Sequence, residues 1–236
     1  MALHGWFGSA HGWGELPRLT DVDRFTWAFP DHRGYGSRRD EAGEYSIAEI
    51  SGDVLALADD LGWDRFSLVG HSMGGLAAQR VLADAPDRVV RLAGISPVPA
   101  GGVPFDEQGW ALFSGAAADR GNRHAIIDLT TGNRLSARWI DGLVDASLRD
   151  STPEAFGAYL TAWARTDITE RVSGNPVPAL AVAGEHDPAL GEAAMRGTWL
   201  THYPNARLEI LANAGHYAMY ETPVRLVTVL EEFLGD

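Results

Sequence analysis

Five residues, Gly70-His71-Ser72-Met73-Gly74, place a serine between two glycines in a Gly-x-Ser-x-Gly pattern. The pattern carries chemistry when a strand leads into it and a helix leads out, because the serine then sits on a turn too sharp for ordinary backbone angles. Side chains at positions 70 and 74 would collide with neighbouring backbone on such a turn, which accounts for both glycines. Phe66-Ser67-Leu68-Val69 reads as the strand and Met73 to Ala85 as the helix, closed by Pro86, so the context is present. Without that context the five residues would be a glycine-rich joint with an incidental serine. A helix beginning after Ser72 also puts its free N–H groups and positive end near the reacting atoms.

A serine hydroxyl is a weak nucleophile at neutral pH and needs a base, which in turn needs an orienting acid. Of eight histidines, His216 lies in Asn213-Ala214-Gly215-His216-Tyr217, between the last strand and the last helix. Loops at the carboxyl ends of strands are where open α/β sheets gather catalytic groups, although a loop histidine can also cap a carbonyl. Asp187, in Gly184-Glu185-His186-Asp187-Pro188, follows the strand Ala179 to Ala183 and is the candidate acid. An Asp before Pro is equally a good helix N-cap, and Glu185 is the alternative acid. Charge developing on a substrate oxygen requires preorganised donors. The N–H of Met73 is one, and the N–H of Trp6, in the turn His4-Gly5-Trp6, is the expected second.

The elements that would hold these groups alternate along the chain. Phe25 to Phe29 reads as a short strand ending at Pro30. Ser46 to Leu61 carries apolar residues at helical spacing and stops at Gly62, and Val89 to Ile95 is a strand. Later, Ala189 to His202 reads as a helix, Arg207 to Leu211 as a strand and Val224 to Leu234 as a helix. Such alternation implies a mostly parallel sheet with helices on both faces. Between Pro97 and Val172 it stops, and the sequence becomes helical and aromatic, with Pro153 placed to start a helix after Thr152. Residues 1–96 and 172–236 are therefore expected to form the core, and 97–171 an all-helical cap. Trp110, Phe113, Trp139 and Trp163 would line its underside, with Tyr217 contributing from beside the base.

Composition narrows the partners. The chain has 236 residues, 45% hydrophobic and 22% charged, which suits one globular domain with an insert. It has no cysteine, which removes disulfides and thiol catalysis, and a formal charge of -13, which argues against a sequence-independent grip on nucleic acid. All 19 basic residues are arginine, excluding a Schiff-base lysine. The absence of a long apolar run or a secretory pattern makes a cytoplasmic location the default, with no membrane association. The histidines show no metal-ligand spacing. His71 is expected to be structural, His4 to hold its own loop, and Asp31 to Gly36 to be a tight turn.

Taken in order, His4-Gly5-Trp6, Asp31-His32-Arg33-Gly34-Tyr35-Gly36, Gly70 to Gly75, Gly184 to Pro188 and Gly215-His216 resemble the α/β-hydrolases, in the branch of lidded esterases, lactonases and cofactor-free haloperoxidases. The resemblance covers the chain outside the cap. It implies the nucleophile, acid and base at Ser72, Asp187 and His216, oxyanion donors at Trp6 and Met73, and no cofactor or metal. The implied activity is hydrolysis of a small, partly apolar carboxylic ester or lactone. C–C bond hydrolysis, elimination, peracid formation, thioester editing and ligand reception on the same scaffold are the alternatives. One departure stands out: only Met1-Ala2-Leu3 precede the oxyanion turn, where the family commonly has a hairpin and a full strand. The expected sheet therefore has about six strands, lacks the first hairpin, and has its first strand reduced to a stub in mid-sheet or continuing upstream of Met1.

Overall fold

The computed structural model describes residues 1–235. Its first half contains β1 (Ala2–Leu3), a short α1 (Leu16–Leu19), α2 (Ile47–Asp60), β2 (Phe66–His71), α3 (Met73–Asp84) and β3 (Val89–Ile95). The helical insert expected between two strands follows as α4 (Glu107–Gly115), α5 (Arg120–Thr130), α6 (Ala137–Asp150), α7 (Pro153–Arg165) and α8 (Thr169–Val172). The chain then returns to β4 (Ala179–Gly184), α9 (Glu192–Gly197), α10 (Trp199–His202), β5 (Ala206–Leu211), α11 (Ala218–Glu221) and α12 (Pro223–Gly235).

All strand pairings are parallel, in the order β1-β2-β3-β4-β5. Parallel strands covered on both faces need apolar residues on both, and β4, Ala-Leu-Ala-Val-Ala-Gly, is buried throughout. Its alternate residues feed two cores. Ala179, Ala181 and Ala183 join Leu68, Leu92 and the α2–α3 side, whereas Leu180 and Val182 join Val69, Ile95 and α12. Local signals set the helix ends. Ser46 Oγ accepts the Glu49 N–H at 3.0 Å to start α2, and Thr152 Oγ1 accepts the Ala155 N–H at 3.1 Å, with Pro153 opening α7.

The sheet has five strands rather than about six. Phe25 to Phe29 runs beside β1 without joining the sheet, touching it through one bond, Ala2 N–H to Ala28 O at 2.8 Å. A single bond is not a ladder, so β1 remains the edge strand on that side. Nor does β1 lie in mid-sheet. It pairs only with β2, matching Ala2 to Val69 and Leu3 to Gly70, and the Met1 carbonyl and amino groups continue the contact to Val69 and Ser67. The single helix expected over 189–202 is instead a turn followed by α9 and α10. Among the described residues, no helix is long and apolar enough to cross a membrane.

Candidate active site

Ser72 sits between β2 and α3 at φ +52 and ψ -118, a region that costs a non-glycine residue about 1–3 kcal/mol. Three main-chain bonds impose it: Ser72 N–H donates to Ile95 O at 3.0 Å, and Ser72 O accepts from Gly75 at 2.8 Å and Val98 at 2.9 Å. The flanking glycines are needed for close approach. A Cβ on Gly70 would drive into the Gly74 carbonyl, and one on Gly74 into the carbonyl of Leu3. The elbow is thereby packed onto β1 and the turn that follows it.

On the loop after β5, His216 Nδ1 donates to Asp187 Oδ2 at 2.7 Å, leaving Nε2 to take a proton. Asp187 is 5% exposed and splits its two oxygens: Oδ1 accepts the N–H groups of Ala189 and Leu190, both at 3.0 Å. One carboxylate thus both holds the imidazole and acts as a cap, and what it caps is a turn rather than a helix. Burial raises the Asp187 carboxyl, but His216 and these donors outweigh it and hold the carboxyl below its ordinary range. Glu185, the alternative, turns elsewhere: its side chain is half exposed and accepts the Asn213 N–H at 3.0 Å. Ser72 and His216 line one cavity without a direct hydrogen bond; such contacts are often loose before substrate binds.

The turn after β1 lies against the elbow. A Cβ on Gly5 would come within 3.1 Å of Ser72 Cβ and 2.7 Å of His71 Nδ1. Among the described residues, the Trp6 and Met73 N–H groups donate to no protein acceptor. His4 holds this turn through the main chain: its Nδ1 bonds Gly5 O at 2.9 Å and its Nε2 accepts the His32 N–H at 3.1 Å. That pattern needs the neutral ring, and burial pushes the His4 pKa down to about 4. His71 is also structural, bonding the His216 carbonyl at 2.9 Å through Nε2, with burial pushing its pKa down to about 3.

A cavity of about 80 Å³ lies over Ser72, walled by core and insert. Phe113, Trp163 and Tyr217 line it, as does Trp6. Trp110 and Trp139 do not. Trp110 faces outward under the Arg165 guanidinium, 4.6 Å from its ring centroid, and Trp139 packs behind Tyr217 and against Tyr220. Sequence reasoning missed Phe7, Val98, Val103, Phe105, Ile126 and Leu190 in the wall. No Arg, Asp or Glu lines this cavity. Among the described residues, no three His, Asp or Glu side chains converge as metal ligands would.

A further residue frames the histidine loop. Glu221, its side chain 2% exposed, accepts the N–H groups of Gly215 at 2.8 Å and Tyr217 at 3.0 Å, the two neighbours of His216. Arg134 of the insert pairs with the same carboxylate, and Thr130 O accepts the His216 N–H at 3.1 Å. The insert therefore touches the base loop directly. The only sequence signal for Glu221 was an acidic residue five positions after the histidine.

The arrangement can deliver a serine oxygen to a carbonyl, move its proton to an imidazole, and offer two main-chain donors to the oxygen. Esterase YbfF of Escherichia coli (strain K12) is 28% identical over 245 residues, covering 100% of this chain and 92% of that protein. The 2-hydroxy-6-oxononadienedioate/2-hydroxy-6-oxononatrienedioate hydrolase of Paraburkholderia phymatum is 29% identical, covering 100% and 86%. Among solved structures, the enol-lactonase of Burkholderia xenovorans LB400 superposes with a TM-score of 0.85 at 23% identity, covering 100% of this chain and 90% of that one. The bromoperoxidase of Bacillus anthracis gives 0.85 at 21%, covering 100% and 91%, a likeness of fold. Residues 1–223 match the alpha/beta hydrolase fold family, and the chain belongs to it.

Proposed function

We propose that this hydrolase cleaves small, neutral, partly apolar carboxylic esters or lactones through an acyl-enzyme on Ser72. The observation that carries the reading is the buried His216–Asp187 pair, 2.7 Å apart, on the same uncharged cavity as Ser72 and Trp6. Ser72 Oγ attacks the carbonyl carbon while its proton passes to His216 Nε2, and the N–H groups of Trp6 and Met73 receive the oxyanion. Collapse breaks the carbon–oxygen bond, and the imidazolium, stabilised by Asp187, gives its proton to the departing alkoxide. Water then attacks the acyl carbon, His216 takes a proton from it, and the second collapse returns that proton to Ser72 Oγ and frees the acid.

The cavity wall argues for neutral substrates. Relatives such as the Paraburkholderia hydrolase are named for dioate substrates, whose carboxylates call for a counter-charge. No arginine lines this cavity to supply one, which favours an ester or lactone over that C–C cleavage.

A fluorophosphonate probe is expected to label Ser72 alone, and Ser72→Ala to lose both labelling and turnover of p-nitrophenyl acetate and butyrate with its circular dichroism unchanged. Unchanged turnover in Ser72→Ala, or a label mapped elsewhere, would overturn the assignment. Ligand binding without turnover by the unaltered chain would replace it with a receptor role.

A further inference from the structure

Arg123 of α5 is 1% exposed, yet no carboxylate of the described residues pairs with it. Burying a cation without a counter-charge is costly, and here burial pulls its pKa down to about 10, leaving it charged at neutral pH. Neutral acceptors hold it: Nε donates to Ala116 O at 2.8 Å, and Nη1 to Ser147 Oγ at 2.6 Å and Ser151 Oγ at 3.3 Å. These contacts tie together the end of α4, α6 and the joint before α7. The remaining partner is a ring. The guanidinium carbon lies 3.7 Å from the Phe156 centroid, within the range of a strong cation–π contact.

The other face of Phe156 carries Trp6, with centroids 4.0 Å apart and planes 23° from parallel. Two groups this close to one centroid cannot share a face, so Phe156 is sandwiched between the guanidinium and the indole. Trp6 is fixed to the same residue a second time, its Nε1–H donating to Phe156 O at 2.7 Å, while Tyr35 OH donates to Trp6 O at 2.8 Å. The peptide whose N–H would receive the oxyanion is therefore located by a column that starts at Arg123, inside the insert.

We propose that Arg123 is a positioning residue for the oxyanion hole: by clamping Phe156 against Trp6 it sets the Trp6 N–H, so the hole is complete only while the helical insert is seated. The proposal rests on the reading of Trp6 as an oxyanion donor. It gives closure of the insert a catalytic consequence, since substrate that draws the insert down also aligns a donor that acts mainly on the transition state. It also accounts for an unpaired cation where methionine would pack at lower desolvation cost.

The test compares Arg123→Met, Arg123→Lys and Phe156→Leu with the unaltered chain. In Arg123→Met and Phe156→Leu, kcat for p-nitrophenyl acetate should fall about tenfold or more, the usual consequence of displacing a catalytic group by a fraction of an ångström, with KM nearly level. Affinity for a trifluoromethyl ketone, which forms a tetrahedral adduct with Ser72, should fall by the same factor as kcat, whereas affinity for the corresponding alcohol should not change. Arg123→Lys, which keeps a cation over the ring, should recover part of both losses. Folded variants with unchanged kcat and ketone affinity would overturn the proposal, as would equal weakening of ketone and alcohol, which marks a mere pocket wall. If Arg123→Met does not fold, Phe156→Leu decides, because it leaves the Arg123 hydrogen bonds in place. An unaltered chain that neither hydrolyses the ester nor binds the ketone would instead overturn the hydrolase reading, and the proposal with it.

Discussion

Glu221→Ala removes a carboxylate that touches no substrate, and its cost can be worked from three contacts. Two buried N–H groups, those of Gly215 and Tyr217, lose their acceptor, at about 1–3 kcal/mol each. The Arg134 partner is one-fifth exposed, so the lost ion pair adds only about 1 kcal/mol after solvent screening. Because the three contacts share one side chain they do not add fully, and about 3–5 kcal/mol is expected. For a chain of this length that corresponds to a fall in Tm of about 6–20 °C. The released N–H groups flank His216, so kcat for p-nitrophenyl butyrate, assayed well below the transition, should drop about tenfold or more. Glu221→Gln keeps an oxygen acceptor and should fall between the two. Thermal melts by circular dichroism check the first effect and steady-state rates the second. A Glu221→Ala protein that melts within about 2 °C of the unaltered chain would refute the view that this carboxylate organises the loop.

Acid should weaken the fold before most carboxylates titrate. Native His4 stays neutral down to about pH 4, while its unfolded counterpart takes a proton near 6.5. The native state thus loses about 3 kcal/mol as pH falls from 6.5 to about 4. His71 acts in the same direction, and urea midpoints that stay flat from pH 7.5 to 4.5 would contradict both. For substrates, the uncharged cavity predicts that p-nitrophenyl hemisuccinate is cleaved roughly 100-fold less efficiently than p-nitrophenyl butyrate, because its carboxylate would be buried unpaired. Comparable kcat/KM values would mean that the acyl group binds elsewhere.

Some of this architecture was legible because its constraints are local. Gly70 and Gly74 declare a turn that only they tolerate, Ser46 and Thr152 announce helix starts through contacts three residues away, and Pro153 does so through its fixed backbone angle. The unbroken apolar run of β4 declares a strand buried on both faces. What could not be read depends on partners far apart in the chain. Phe25 to Phe29 has strand composition, but whether it pairs depends on how the segment beside it runs. Trp110 and Phe113 share one helix and the same aromatic character, yet only Phe113 lines the cavity, while Trp110 lies half-buried between Phe105 and the Arg165 guanidinium. Arg123 and Glu221 look like ordinary surface charges until the rings and N–H groups that surround them are known.

The division of labour at Asp187 limits what could replace it. Its two oxygens face donors on both sides, the turn N–H groups and the imidazole, so an isosteric amide would satisfy only one side with its single oxygen. If that oxygen stayed with the turn, the amide hydrogens would meet Nδ1 and force the ring's hydrogen onto Nε2. The imidazole would then present a donor toward the cavity and have no lone pair there with which to accept a proton. One atom's exchange would leave the loops in place and invert the polarity of the site.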